Sequence, residues 1–146
     1  MTALLCDSGP LIATFNVCDS NHVRCAKVLA EWPGRLLIPE PVLGETCNFL
    51  RNNVRNGPAL EVRFLEAVTR RTAAFEVVDP TQEDRARAAE LSAQLVSGPL
   101  GYVDATVLAL AERLHEPAIA SVDFKFLGMA TPVCRLQPLR WVLQEL

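Results

Sequence analysis

Two short, largely apolar runs in this sequence end directly in aspartate: Ala3–Cys6 runs into Asp7, and Ala118–Val122 runs into Asp123. Runs of that length, bounded by turn residues, read as strands, and continuous apolarity implies burial on both faces. An aspartate ending such a strand stands at the carboxyl edge of the sheet, where open α/β sheets bind ligands. It is costly there, because a charge beside buried apolar residues needs a partner, a proton or a metal. The chain is therefore expected to be a strand–helix fold with an acidic edge.

The remaining punctuation fits that expectation. Leu36–Ile38 and Phe75–Val78 read as further strands, and Val133–Leu136 as a final edge strand. Helices are expected around Leu11–Phe15, from an Asp19 or Ser20 cap to Trp32, from Pro41 to Asn53, and over Ala59–Arg71. Further helices are expected from Gln82 to Val96, capped by Thr81 with Glu83 and Asp84 in its first turn, and over 102–115. Trp141–Leu146 reads as a closing turn. On the Pro41 helix, Val42, Glu45 and Phe49 share one face. Alternating strands and helices imply a three-layer α/β/α domain around a mostly parallel sheet. With 146 residues and no repeat or linker, residues 1–146 are expected to form a single domain.

Bulk properties exclude several classes. Half of the residues are hydrophobic, which is ample for a core, yet no apolar run approaches the ~20 residues of a membrane helix. The N-terminus has no basic flank and reaches Asp7 too early for a signal peptide. Cysteines 6, 18, 25, 47 and 134 form no Cys-x-x-Cys pair, and buried, reduced thiols in a cytoplasmic protein are expected. The net charge of −3 opposes a whole-surface grip on nucleic acid. Residues 48–72, however, carry five arginines against two glutamates, a local +3 that leaves −6 elsewhere. Arg51, Arg55, Arg70 and Arg71 in this strip are expected either to contact nucleic-acid phosphates or to solvate helix surfaces.

Two more acids belong with the strand-end pair. Asp104 interrupts Gly-Tyr-Val-Asp-Ala-Thr-Val-Leu-Ala-Leu-Ala near a helix start, where the dipole favours a carboxylate by about 0.3–1 kcal/mol. Glu45 lies about a turn into a helix that follows a strand. No matching arginines or lysines are embedded beside the four. Two carboxylates ~4 Å apart repel by about 4 kcal/mol at an effective dielectric near 20. A divalent cation relieves that repulsion, and an all-oxygen set suits magnesium or manganese. Taken singly, each acid also has an ordinary role: Asp7 opening a turn, Asp104 an N-cap, Asp123 a cap, Glu45 a solvated helix residue.

The order of these residues resembles the PIN domain family, and within it the small VapC-type ribonuclease toxins of type II toxin–antitoxin systems. Leu5-Cys6-Asp7-Ser8 matches the strand-end aspartate followed by Ser or Thr. Pro41-Val42-Leu43-Gly44-Glu45 matches the glutamate early in a helix, and Asp104-Ala105 the Asp-Ala that opens an Ala- and Leu-rich helix. Ser121-Val122-Asp123 with Phe126 matches the Thr/Ser-x-Asp strand end with a phenylalanine three residues on. The resemblance spans the whole chain. It implies an Mg2+- or Mn2+-dependent endoribonuclease in which Asp7 and Asp104 are the most direct ligands. Asp123 would serve a second ion or act through water, Glu45 would complete the pocket, and Ser8 and Ser121 would support them. Lys125 stands where it would touch a phosphate or solvent. The resemblance further implies a VapB-like antitoxin, a homodimer and a cytoplasmic location. A PIN fold without catalysis that only binds RNA or protein is the alternative.

Rival classes fit less well. A haloacid-dehalogenase-type phosphatase needs Asp-x-Asp, and position 9 is glycine; a receiver domain needs paired acids after its first strand. His22 reads as a helix-start packing or hydrogen-bonding residue. Glu40 precedes the helix-starting proline and is set aside in favour of Glu45.

Overall fold

The computed structural model describes residues 3–70, 74–96, 98 and 100–145. Five strands, β1 (Leu4–Cys6), β2 (Leu36–Pro39), β3 (Phe75–Val78), β4 (Ala118–Ala120) and β5 (Arg140–Trp141), form one sheet in the order β3-β2-β1-β4-β5. Every neighbouring pair is parallel, with Leu5 of β1 opposite Leu37 on one side and Ile119 on the other. The inner strands are wholly buried and the two edges partly exposed, as the continuous apolar runs require.

Seven α-helices among the described residues cover the sheet in a three-layer α/β/α arrangement. α1 (Ser8–Phe15) and α2 (His22–Glu31) connect β1 to β2, and α3 (Glu40–Asn53) and α4 (Gly57–Thr69) connect β2 to β3. α5 (Gln82–Gln94) and α6 (Tyr102–Leu114) lead to β4, and α7 (Phe124–Val133) to β5, followed by a 3-10 turn at Val142–Glu145. Leu4, Leu5, Ile38, Ile119, Leu108 and Phe126 are among the fully buried side chains. Phe15 meets Phe64 edge-on at 5.3 Å, and Phe126 meets Trp141 at 5.6 Å.

Four expectations are corrected. α1 begins at Ser8, not near Leu11, because Asp7 caps it and Pro10 lies in the first turn, where its missing N–H has no intrahelical use. The last strand is Arg140–Trp141, and Val133 instead ends α7. Gly128 and Pro132 weaken the helical signal of that segment; the Asp123 cap and the burial of Phe126 and Ala130, one turn apart, hold it together. α2 begins at His22 with Asn21 at its cap and no side-chain capping bond, while Asp19 accepts from the Asn21 N–H at 2.8 Å. On α3 the buried face is Val42, Thr46 and Leu50, and Glu45 and Phe49 are exposed.

Ion pairs tie α5 to α6. Asp84 completes a capping box with Thr81 and, 3% exposed, also accepts from Arg113 Nε at 2.9 Å. Glu112 takes Arg87 through both oxygens, at 2.8 and 3.1 Å, and accepts from the Arg135 N–H beyond α7. All five cysteines are free; Cys6, Cys25 and Cys134 are buried, but Cys47 is only half-buried and Cys18 is exposed.

Candidate active site

The chain leaves β1 toward β2 on one side of the sheet and returns to β4 on the other, so β1 and β4 flank the point where strand order reverses. Parallel sheets open a crevice at such a point, beyond the carboxyl ends of the strands. Asp7 ends β1 there, and its N–H donates to the Ala120 carbonyl at 3.0 Å. Helices that follow a strand in a parallel unit start at this same edge. Glu45 on α3 and Asp123 at the cap of α7 are placed by that rule, and so is Asp104, in the first turn of the α6 that runs back to β4.

Asp7 is buried, 5% exposed. Its Oδ1 accepts from the Ser8 N–H and its Oδ2 from the Ser121 hydroxyl, both at 2.9 Å. Ser121 Oγ in turn accepts from the Asp123 N–H at 3.1 Å. The Ser8 hydroxyl donates to Glu45 Oε1 at 2.8 Å. Asp123 caps α7, its Oδ1 accepting from the Lys125 and Phe126 N–H groups at 3.0 and 3.1 Å. Asp104 is half-buried, and its carboxylate has no hydrogen-bond partner among the described residues; the cap of α6 is Gly101. Gly9 makes the close approach possible: a methyl there would overlap the Val122 side chain beside Ser121.

Electrostatics link all four acids. Burial pushes the Asp7 carboxyl up to about 6, against the two hydrogen bonds that lower it, and Glu45 and Asp123 raise it further. Burial pushes Asp104 up to about 7, with Asp7, Asp123 and Glu45 adding repulsion in that order. No cation enters either balance. Burial beside Asp7 also pushes the Cys6 thiol far up, so it stays protonated and is no nucleophile.

Among the described residues, no three His, Cys, Asp or Glu side chains converge tightly enough to cage a metal ion. The donor set nonetheless fits a hard, hydrated divalent cation. Magnesium keeps most of its waters and is held by one or two carboxylates together with substrate phosphate. Asp104 offers a carboxylate with no hydrogen-bond partner among the described residues, raised by burial and by its acidic neighbours, and positive charge at that spot would relieve the repulsion.

The basic residues are distributed differently. Arg51 is engaged by Glu61 at 2.6 Å. Arg55 is exposed and lines a cavity together with Arg63, Arg70 follows the end of α4, exposed, and Arg71 lies outside the described residues. Lys125 is exposed in the first turn of α7. His22 donates from Nδ1 to the Ala13 carbonyl at 2.7 Å and so ties α2 to α1. Sequence reasoning missed the contact of Gly9 with Val122, for which a lone glycine after Asp-Ser gives no signal. It also counted Arg63 within the basic strip without singling it out.

The family model of the PIN domain matches residues 4–131, and no curated protein matches the chain. Solved structures share the fold. Mycobacterium tuberculosis VapC20, described as a sarcin-ricin loop cleaving toxin, superposes with a TM-score of 0.76 at 22% identity, covering 86% of this chain and 93% of that one. A toxin–antitoxin complex from Klebsiella pneumoniae gives 0.64 at 22% identity over 86% and 90%. VapBC2 of Rickettsia felis, bound to a DNA fragment from its promoter, gives 0.61 at 15% identity over 95% and 96%. With its family match running from β1 into α7, the chain belongs to the PIN domain family.

Proposed function

We propose that the protein is a metal-dependent endoribonuclease of the VapC type that hydrolyses RNA phosphodiester bonds. The observation that carries this reading is the gathering of Asp7, Glu45, Asp104 and Asp123 at one edge of the sheet, all but Asp104 linked through Ser8 and Ser121. No cation among the described residues answers the two carboxyls that burial and the other acids raise. Such a field is unfavourable for the protein alone and suits a site completed by a cation. Asp7 and Asp104 would hold Mg2+ or Mn2+, with Asp123 and Glu45 beside them. What the cation supplies when bound is acidity for the attacking water and positive charge for the pentavalent phosphate.

The chain's own residues do the positioning. Ser121 orients Asp7 and, through the Asp123 N–H, holds the segment that carries Asp123 in register. The Ser8 hydroxyl turns Glu45, otherwise exposed on α3, toward the same edge. The Lys125 and Phe126 N–H groups at the start of α7 hold the Asp123 carboxylate aimed. No nucleophilic side chain is required.

The Klebsiella and Rickettsia structures are a toxin–antitoxin complex and a VapBC pair, which supports a VapB-like antitoxin as partner of this chain. A homodimer and a cytoplasmic location complete the proposal; no helix among the described residues is long and apolar enough to cross a membrane. The second reading is a PIN fold that binds RNA or protein without cutting. One experiment separates them. Purified protein is incubated with RNA in Mg2+, Mn2+ or excess chelator, and the cleaved ends are mapped. Cleavage only with the cation supports the nuclease; binding without cleavage under every condition supports the second reading.

A further inference from the structure

Three of the cavities among the described residues contain arginines, and in two of these every guanidinium is already paired with a carboxylate. In the cavity of about 360 Å³ beside α5 and α6, Arg87, Arg113 and Arg135 pair with Glu112, Asp84 and Glu90. In that of about 230 Å³ near the C-terminus, Arg140 pairs with Glu145. The third, about 460 Å³, opens where the α1–α2 connection meets the start of α4. Arg55 and Arg63 line it with no ion-pair partner among the described residues, and no carboxylate is in its wall. Their neighbour Arg51, by contrast, is held by Glu61. In a chain of net charge −3, two uncompensated guanidinium groups facing one concavity make a site for an anion.

The rest of the wall says which anion. Phe15 and Leu60 supply apolar surface, Phe15 fixed by its edge-on contact with Phe64. Asn56 supplies a donor and an acceptor, and His22, its Nδ1 committed to the Ala13 carbonyl, has only Nε2 left to bond. A flat heterocycle with polar edges attached to a phosphate matches that combination, and unpaired bases are read by such surfaces.

The position agrees. α1 starts beside Asp7 and ends at the cavity with Phe15, about 10 Å away at ~1.5 Å per residue. α3 runs from Glu45 to its end at Asn53, just before Arg55, about 12 Å by the same rise. Two helices thus lead from the carboxylates to the arginines.

We propose that this cavity is a second anchor for the RNA substrate, taking one unpaired base and pairing its phosphate with Arg55 and Arg63, a helix length of about 10–12 Å along α1 and α3 from the carboxylate edge. The inference rests on the ribonuclease reading above and names where that enzyme grips its substrate.

The test compares wild type, Arg55→Gln/Arg63→Gln and Arg51→Gln on two substrates in Mn2+. Bis(p-nitrophenyl) phosphate reaches only the carboxylates, and a single-stranded RNA oligonucleotide spans both sites. The double variant is expected to hydrolyse the small diester like wild type while its KM for RNA rises about tenfold, with kcat little changed. In metal-free buffer its RNA affinity should lose about 0.7 of salt slope per lost phosphate contact. Arg51→Gln should stay near wild type in both assays. An unchanged KM and salt slope in the double variant overturns the anchor. So does a variant that keeps its RNA affinity but loses affinity for an oligoglutamate peptide, which would assign the cavity to an acidic protein. If wild type hydrolyses neither substrate, the ribonuclease reading itself has failed.

Discussion

The Ser121 hydroxyl, just past the end of β4, donates a 2.9 Å hydrogen bond to Oδ2 of Asp7 at the end of β1. The two residues are 114 positions apart, and only the adjacency of β1 and β4 brings them together. The bond lowers the Asp7 carboxyl against the burial that raises it, so Ser121 keeps an otherwise expensive carboxylate ionised and aimed.

Removing that hydroxyl should therefore weaken the site without unfolding the protein. Ser121→Ala is expected to raise the cation concentration needed for half-maximal RNA cleavage by about 10–100-fold. Ser121→Thr should recover most of the loss. A cation titration of cleavage rates checks this; identical titrations for wild type and Ser121→Ala would reduce the bond to a packing contact.

The pH dependence of stability follows from the two raised carboxyls. Ordinary aspartates sit near 3.8, whereas Asp7 and Asp104 are pushed up to about 6 and about 7 in the fold. Between those limits the folded state holds more protons than the unfolded one, so metal-free stability must fall as pH rises. For the buried Asp7 the full loss above its folded value is about 3 kcal/mol. Asp7→Asn and Asp104→Asn should each flatten the fall, raise Tm at neutral pH in chelator and abolish cleavage. Melting curves across this window test the sign; a steeper fall in the asparagine variants contradicts it.

Arg113 should matter to stability and not to chemistry. Its guanidinium partners Asp84, which is 3% exposed, and removing it leaves a buried carboxylate short of its cation. Arg113→Ala is expected to cost about 2–3 kcal/mol in urea denaturation. The folded fraction should cleave RNA at the wild-type rate.

A partner that silences the proposed nuclease would find four carboxylates sharing one field, matched to the planar fork of an arginine. If an antitoxin arginine enters there, partner and cation compete. Raising Mn2+ should weaken the complex in calorimetry, and Asp104→Asn should bind the partner less tightly than wild type. Affinity indifferent to both changes would place inhibition outside the acidic edge.

Much of this was legible in the residues alone. Phe75–Val78 is a strand with the expected bounds, Thr81 is the cap of α5, and Asp7 directly follows β1 as its apolar run implies; β4, however, stops at Ala120, two residues short of the expected Val122, and Asp123 caps α7 instead of ending the strand. These signals are local, carried by side-chain periodicity and capping within a few residues. α7 was not legible, because Gly128 and Pro132 argue against a helix that is held by the burial of Phe126 and Ala130 against distant elements.

The sequence by itself determined the strand–helix alternation, the acidic ends of β1 and the β4 segment, and the basic excess of residues 48–72. Only the tertiary structure decided that Ser121 supports Asp7 and that Ser8, not burial, orients Glu45. It likewise decided that Arg51 is neutralised while Arg55 and Arg63 face a cavity, and that Asp84 is a buried ion-pair partner rather than a simple first-turn acid. The reason is physical. A side chain's charge and periodicity are written in its neighbours along the chain, whereas its partner, solvation and titration are set by residues that folding brings from far away.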